Sequence, residues 1–335
     1  MKIAIHKSGG FAERWISYCQ EKSIPYKIVN CYDNDIIEQL ADCDALMWHF
    51  YHAGVKDFLF AKQLLYAIQI SGKKVFPDFN TVWHFDDKVG QKYLLEAIHA
   101  PLAPSYVFYS KDEAMRWAKT TTYPKVLKMR CGASSANVRL VKTKQEAARL
   151  ITKSFGKGFA QYNRLGNLKE RWRKKLLGKA TMTDVLKGFV RFFYTTDFAK
   201  MAGYEKGYVY FQAFIPDNTY DIRIVVIGNY AFGIKRMVRK NDFRASGSGN
   251  IIYKKSEISE ECVKIAFEIN QKLNTQCIAL DFVFAGLHQA LVIEISYGFV
   301  PQGYDACEGY WDKNLNWYEG EFNPYGWMVE NLLEK

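Results

Sequence analysis

Two short stretches near the end of the chain constrain its fold most. Residues 277–285 read CIALDFVFA and residues 290–296 read ALVIEIS. Each is an apolar run of strand length that carries one carboxylate, Asp281 in the first and Glu294 in the second. Side chains alternate faces along a strand. Ile278, Leu280, Phe282 and Phe284 are therefore predicted to share one face, and Ala279, Asp281, Val283 and Ala285 the other. In the second run Val292, Glu294 and Ser296 are predicted to share a face. A carboxylate in such a strand is costly unless it is paired, bound to a cation or turned to solvent. A two-residue turn at Leu287–His288 pairs Gly286 with Gln289, and counting back sets Asp281 opposite Glu294. Opposed side chains sit ~5 Å apart at Cβ, and two like charges there repel unless a cation lies between them. Magnesium suits this arrangement, since it takes few protein carboxylates and completes its shell with phosphate and water. The alternative is a solvated strand face with two unrelated acids.

The rest of the chain divides by pattern. With 335 residues it can hold two or three small domains. Short apolar runs at Lys2–His6, Ala45–Phe50 and Lys74–Phe76, with helical patterns at Phe11–Glu21 and Asp57–Ser71, predict an open parallel α/β sheet over residues 1–84. Asp86–Ile98 is a helix by its apolar spacing. Strands at Tyr106–Tyr109, Val126–Met129 and Val138–Val141, with helices at Lys111–Lys119 and Lys144–Ser154, predict a small α+β unit over 85–155. Residues 156–206 read as a basic helical insertion, with Lys169, Arg171, Arg173, Lys174, Lys175 and Lys179 interleaved with Trp172 and leucines. Strands at Tyr208–Ile215, Asp221–Ile227 and Ala231–Val238 and a helix at Ser259–Leu273 predict a C-terminal antiparallel-sheet unit over 207–335.

Composition excludes little. The net charge of +11 fits either an anionic partner or an ordinary basic surface. Seven dispersed cysteines form no CxxC pair and stand at no zinc spacing, which predicts reduced thiols and a cytoplasmic protein. The start of the chain reads as a strand, not a signal peptide, and no run is apolar enough to span a bilayer.

No GxxxxGK[ST] and no GxGxxG follows a first strand. Candidate phosphate contacts are Lys88, opening a helix, and Lys128, before the small-residue loop Gly132, Ala133, Ser134 and Ser135, whose backbone N–H groups could approach phosphate closely. An ordinary hairpin is the alternative for that loop. Arg223, Arg236 and Arg244 lie on or near the later strands, and arginine grips phosphoryl oxygens in a planar fork. The Gly/Ser-rich DFRASGSGN around Arg244 fits a lid.

In order, these elements resemble the ATP-grasp superfamily, over about residues 85 to 300. The resemblance implies an ATP-grasp fold: an N-terminal open α/β domain, a small central α+β subdomain and a C-terminal antiparallel-sheet subdomain. It implies ATP and magnesium as cofactors. It assigns Lys88, Lys128 and the 132–135 loop to ATP phosphates. It sets Gln212, Ala213 and Ile215 at the adenine-binding hinge, and Asp221 at the ribose. Arg223, Arg236 and Arg244 would stabilise the transferring phosphoryl group, and Asp281, Glu294 and Ser296 would hold metal. Ser296 stands where the family usually has Asn, which puts the number of magnesium ions in doubt. The implied activity is an ADP-forming ligase that joins a carboxylate to an amine through an acyl-phosphate. A non-catalytic ATP-binding regulator and an ATP-grasp kinase are the rival readings. The stretches WHFDDKVGQKYLLEA, PSYVFY and VIEISYGFVPQGYD resemble bacterial ATP-grasp proteins of surface-glycan biosynthesis, implying a sugar-linked carboxylate. The basic insertion would then face an anionic carrier or membrane surface, or be a solvated helix. Nucleic acid is disfavoured as a partner, and a homodimer is the default assembly.

Overall fold

The structure is a computed structural model that describes residues 1–51, 54–131, 138–160, 172, 175, 181–183, 186, 201, 203–239, 242–245, 247–286 and 289–334. The loop expected at Gly132 to Ser135, the turn at Leu287–His288 and most of the basic segment lie outside the described residues. The chain forms two compact units, one of Met1–Phe85, Gly90–Leu102 and Ile215–Lys335, the other of Asp86–Val89 and Ala103–Phe214.

The first unit opens with β1 (Ile3–His6), α1 (Phe11–Glu21), β2 (Tyr26–Val29), α2 (Ile36–Gln39), β3 (Ala45–Met47), α3 (Val55–Ile70), β4 (Lys74–Phe76) and α4 (Phe79–Val82). The strands form a parallel sheet in the order β2-β1-β3-β4. The sequence pattern misses β2 because it is an edge strand in which Val29 alone is buried. Asp78 caps α4 by accepting from the Thr81 N–H at 2.9 Å, which explains why PDFNT interrupts the strand pattern.

Helix α5 (Lys88–Ala97) starts in the second unit and continues into the first. The second unit adds β5 (Ser105–Phe108), α6 (Lys111–Thr120), β6 (Lys125–Lys128), β7 (Val138–Val141), α7 (Lys144–Phe155), the short β8 (Phe159–Ala160) and β9 (Tyr204–Glu205), and β10 (Val209–Ala213). Both long helices begin at side-chain caps, with Ser110 accepting from Glu113 N and Thr143 from Glu146 N. The strand order is β5-β10-β6-β7. Strand β10, expected with the C-terminal subdomain, therefore belongs to the central sheet; its backbone groups are satisfied by β5 and β6.

The first unit resumes with β11 (Tyr220–Ile227), β12 (Tyr230–Met237), β13 (Ile251–Ile252), α8 (Glu260–Leu273), β14 (Cys277–Ala285), β15 (Gln289–Ser296), β16 (Gly309–Asp312), β17 (Trp317–Glu319) and α9 (Pro324–Glu334). The sheet runs β15-β14-β11-β12-β16-β17, with β13 paired to β12. One of its faces packs on α8 through Ile222, Ile224, Leu280 and Phe282. The other joins the parallel sheet in one core, where Val225, Phe232 and Ala279 meet Trp15, Phe76 and α9. The N-terminal and C-terminal sheets, expected in separate domains, thus share a core. All seven cysteines are free, as expected from their spacing. No described helix is long and apolar enough to cross a membrane.

Candidate functional site

Sheet register brings five charged side chains of the first unit into one row. Asp221 pairs with Arg236, Arg223 with Asp281, and Asp281 with Glu294. The predicted opposition of Asp281 and Glu294 is present, but the route to it differs. Ala285, not Gly286, pairs with Gln289, so the turn holds three residues. A β-bulge between Asp281 and Phe282 then restores the register. The bulge also changes the faces. Val292 and Ile295 both pack with Phe282 in the α8-facing core, so Val292 does not share a face with Glu294 and Ser296.

The row is an ion-pair network. Arg236 grips Asp221 bidentately, with Nε to Oδ1 at 2.6 Å and Nη2 to Oδ2 at 2.7 Å. The same Nη2 lies 2.9 Å from Asp281 Oδ2, and Arg223 Nε lies 2.7 Å from Asp281 Oδ1. Asp221, Arg236 and Asp281 are each only 5–6% exposed. Burial, with Asp281 close by, raises the Asp221 carboxyl to about 6 despite the guanidinium on it. Burial alone would lower the guanidiniums, but Asp281 together with Tyr304 and Glu294 at Arg223, and with Asp221 and Tyr304 at Arg236, holds both above their ordinary value. With Glu294 the row brings three carboxylates and two guanidiniums together.

Two features of this site escaped the sequence reading. Tyr304 is buried against Phe232 and Phe299, and its hydroxyl hydrogen-bonds Arg223. It sits in a loop with no periodic pattern, so only the fold brings it to the row. The second feature is the role of Asp221, whose two oxygens are both engaged by Arg236. Ser296 Oγ donates to the Gly298 carbonyl at 3.0 Å and accepts from the Gly298 N–H at 3.1 Å, which leaves it one lone pair. Arg244 folds back on Asp242, with Nη2 to Oδ2 at 2.7 Å.

The oxygen donors fit a hard divalent cation. Asp281 and Glu294 supply carboxylate oxygens and Ser296 a hydroxyl, the chemistry magnesium prefers. Among the described residues no group of three or more His, Cys, Asp and Glu side chains is placed to hold a metal ion, so the candidate site rests on two carboxylates and a hydroxyl.

The second unit collects the predicted basic residues. Lys88 and Lys128 are 5% and 7% exposed. The Lys88 N–H donates to the Arg130 carbonyl at 3.0 Å, which ties the start of α5 to the chain two residues beyond Lys128. Gln212 is buried on β10 and donates through Nε2 to Ser105 Oγ at 3.1 Å. Ala213 N–H donates to the Pro104 carbonyl at 2.7 Å. The chain leaves this unit between Phe214 and Ile215, inside the predicted hinge.

A model of the RimK-like ATP-grasp domain matches residues 199–302 of this chain. The biotin carboxylase domain of Hydrogenobacter thermophilus 2-oxoglutarate carboxylase, solved with MgADP, ADP and bicarbonate, is similar over 100% of this chain and 70% of its own, at 12% identity and a TM-score of 0.61. A RimK domain ATP-grasp protein from Sphaerobacter thermophilus aligns over 99% of this chain and 100% of its own, with 14% identity and a TM-score of 0.55. D-alanine–D-alanine ligase from Bacillus anthracis, complexed with ATP, covers 100% and 96% at 13% identity and a TM-score of 0.54. No curated protein matches the chain.

Proposed function

We propose that this chain, which has the ATP-grasp fold, is an ADP-forming ligase that joins a carboxylate to an amine. The observation that carries the proposal is the buried row on the antiparallel sheet, in which two guanidiniums are locked onto carboxylates beside the Asp281–Glu294 pair. Such preorganised charge is what phosphoryl and acyl transfer need, since positioning and electrostatics supply most of their catalysis.

In this reading Lys88 and Lys128 contact ATP phosphates, together with backbone groups of Gly132 to Ser135. Gln212, Ala213 and Ile215 recognise adenine. Asp281, Glu294 and Ser296 would hold magnesium, which when bound neutralises phosphate charge. Asp221 departs from the ribose role that the resemblance implies. It positions Arg236 by holding both ends of the fork.

The substrate carboxylate attacks the γ-phosphorus in line; the bond to the β-bridging oxygen breaks and ADP leaves. The Arg223 and Arg236 guanidiniums stabilise the developing phosphoryl charge. Tyr304 holds Arg223 in orientation through its hydroxyl. Arg244 swings from Asp242 to the acyl-phosphate as the 242–249 loop excludes water. The amine then attacks the acyl carbon, the bond to phosphate breaks, and inorganic phosphate and a proton leave. A sugar-linked carboxylate is the substrate class we favour, on the sequence resemblance alone.

The test is ADP release across a panel of carboxylates and amines, sugar acids included. Release that requires both partners supports the ligase. Release with a hydroxyl compound alone, leaving a stable phosphorylated product, would make the protein a kinase. Tight ATP binding without ADP under any pair would make it a regulator.

A further inference from the structure

Helix α3 presents an apolar face that the described residues leave open. Its buried side holds Asp57, Ala61, Leu65 and Ile68. On its exposed side Lys56, Leu59, Phe60, Gln63, Tyr66, Ala67 and Ile70 fall in one stripe at helical spacing, centred on Gln63. Leu59 is 41%, Phe60 51%, Tyr66 47% and Ile70 70% exposed. Phe79 packs against Tyr66 in a tilted arrangement, with ring centroids 4.8 Å apart, and widens the patch. Exposed apolar area gathered this way marks an interaction site.

Charge is kept off the stripe. The chain carries +11, yet the stripe has one charged side chain, Lys56, whose ammonium lies 4.7 Å from the Tyr32 ring centroid. Neighbouring lysines turn onto backbone carbonyls: Lys62 donates to Trp83 and Phe85, Lys73 to Cys43, and Lys74 to Leu333. A lipid surface would instead call for lysines flanking the apolar face. A second copy of this basic chain can approach closely only at a patch poor in charge, and this is one.

The stripe is also complementary to itself. When two α3 helices meet antiparallel on a twofold axis at Gln63, Leu59 meets the partner's Ala67, Phe60 meets the partner's Tyr66, and the aliphatic stem of Lys56 lies along the partner's Ile70. Large then faces small and ring faces ring, while the two Gln63 amides can exchange hydrogen bonds. We propose that the α3 face is an isologous interface between two copies of this chain, with its dyad at Gln63. Five apolar side chains, Leu59, Phe60, Tyr66, Ile70 and Phe79, each half exposed, offer roughly 100 Å² apiece. The pair would bury about 1,000 Å², the lower bound for a specific contact, so the dimer should form at micromolar concentration.

Sedimentation and light scattering of the full chain, from about 1 to 200 µM, test this. A dimer should appear within that range, and Phe60→Glu or Tyr66→Glu should shift it to monomer with an unchanged circular dichroism spectrum. Gln63→Cys should cross-link to itself on mild oxidation, because six of the native cysteines are buried and Cys307 is only partly exposed. Cross-linking by Gln63→Cys but not by Ala41→Cys, at an unrelated exposed site, supports the dyad position. A monomer at every concentration, with Gln63→Cys uncross-linked, would overturn the proposal. So would a chain that stays monomeric and sediments with phosphatidylcholine–phosphatidylserine vesicles through Ile70.

Discussion

Replacing Asp221 by Asn isolates the electrostatics of the buried row. In the wild type both carboxylate oxygens accept from Arg236, at 2.6 and 2.7 Å, a pairing that would by itself lower the carboxyl. Burial, with Asp281 nearby, outweighs it and raises the group from 3.8 to about 6. That rise is worth ~3 kcal/mol between the two protonation states. An acid whose folded pKa lies above its unfolded value holds its proton more tightly when folded. Its contribution to stability is therefore fully present below 3.8 and is lost as pH rises through about 6. Asparagine does not titrate. Urea unfolding of both proteins should show the wild-type stability, measured relative to Asp221→Asn, falling by up to ~3 kcal/mol between about pH 4 and pH 7. A difference that rises with pH would mean that the Arg236 pairing, not burial, sets the Asp221 carboxyl. Because the Asn side chain cannot hold both ends of the fork, ADP formation should fall about 10-fold or more at every pH even where stability is preserved.

Other substitutions probe neighbouring parts. Arg236→Met strands the buried Asp221 carboxylate, removes one of the two guanidiniums on Asp281, and should cost about 3–5 kcal/mol in urea unfolding, with ADP formation lost. Glu294→Gln should raise the magnesium concentration for half-maximal ADP release by roughly 10-fold or more, with the fold intact by circular dichroism. Gly10→Ala should lower the melting temperature, at a cost of about 1–3 kcal/mol, because Gly10 has φ +60° and an added Cβ would lie 2.7 Å from His49 Nδ1.

Strands and helices with strong periodicity were legible in the sequence. The helices Phe11–Glu21 and Val55–Ile70 and the strand pairs of the C-terminal sheet follow from apolar spacing. Less legible was anything set by a partner strand. Strand β2 is hidden by its exposure, and β10 changes sheets because sequence pattern does not say which neighbour completes its hydrogen bonds. The Asp281–Glu294 opposition was reached with a turn one residue too short and no bulge, two errors that cancel at Asp281 but not at Val292. Charged residues on these strands could be picked out as a set. Their pairing needed the register, since Asp221 and Arg236 lie 15 residues apart in sequence.

An acyl-phosphate made at the carboxylate row would be trapped by hydroxylamine without knowledge of the natural amine. Incubating the protein with magnesium, ATP, hydroxylamine and a pool of carboxylates should yield ADP and a hydroxamate in equal amounts, with both lost in Arg236→Met and Asp281→Asn. ADP formed without hydroxamate, or ATP bound and never cleaved, would contradict the account.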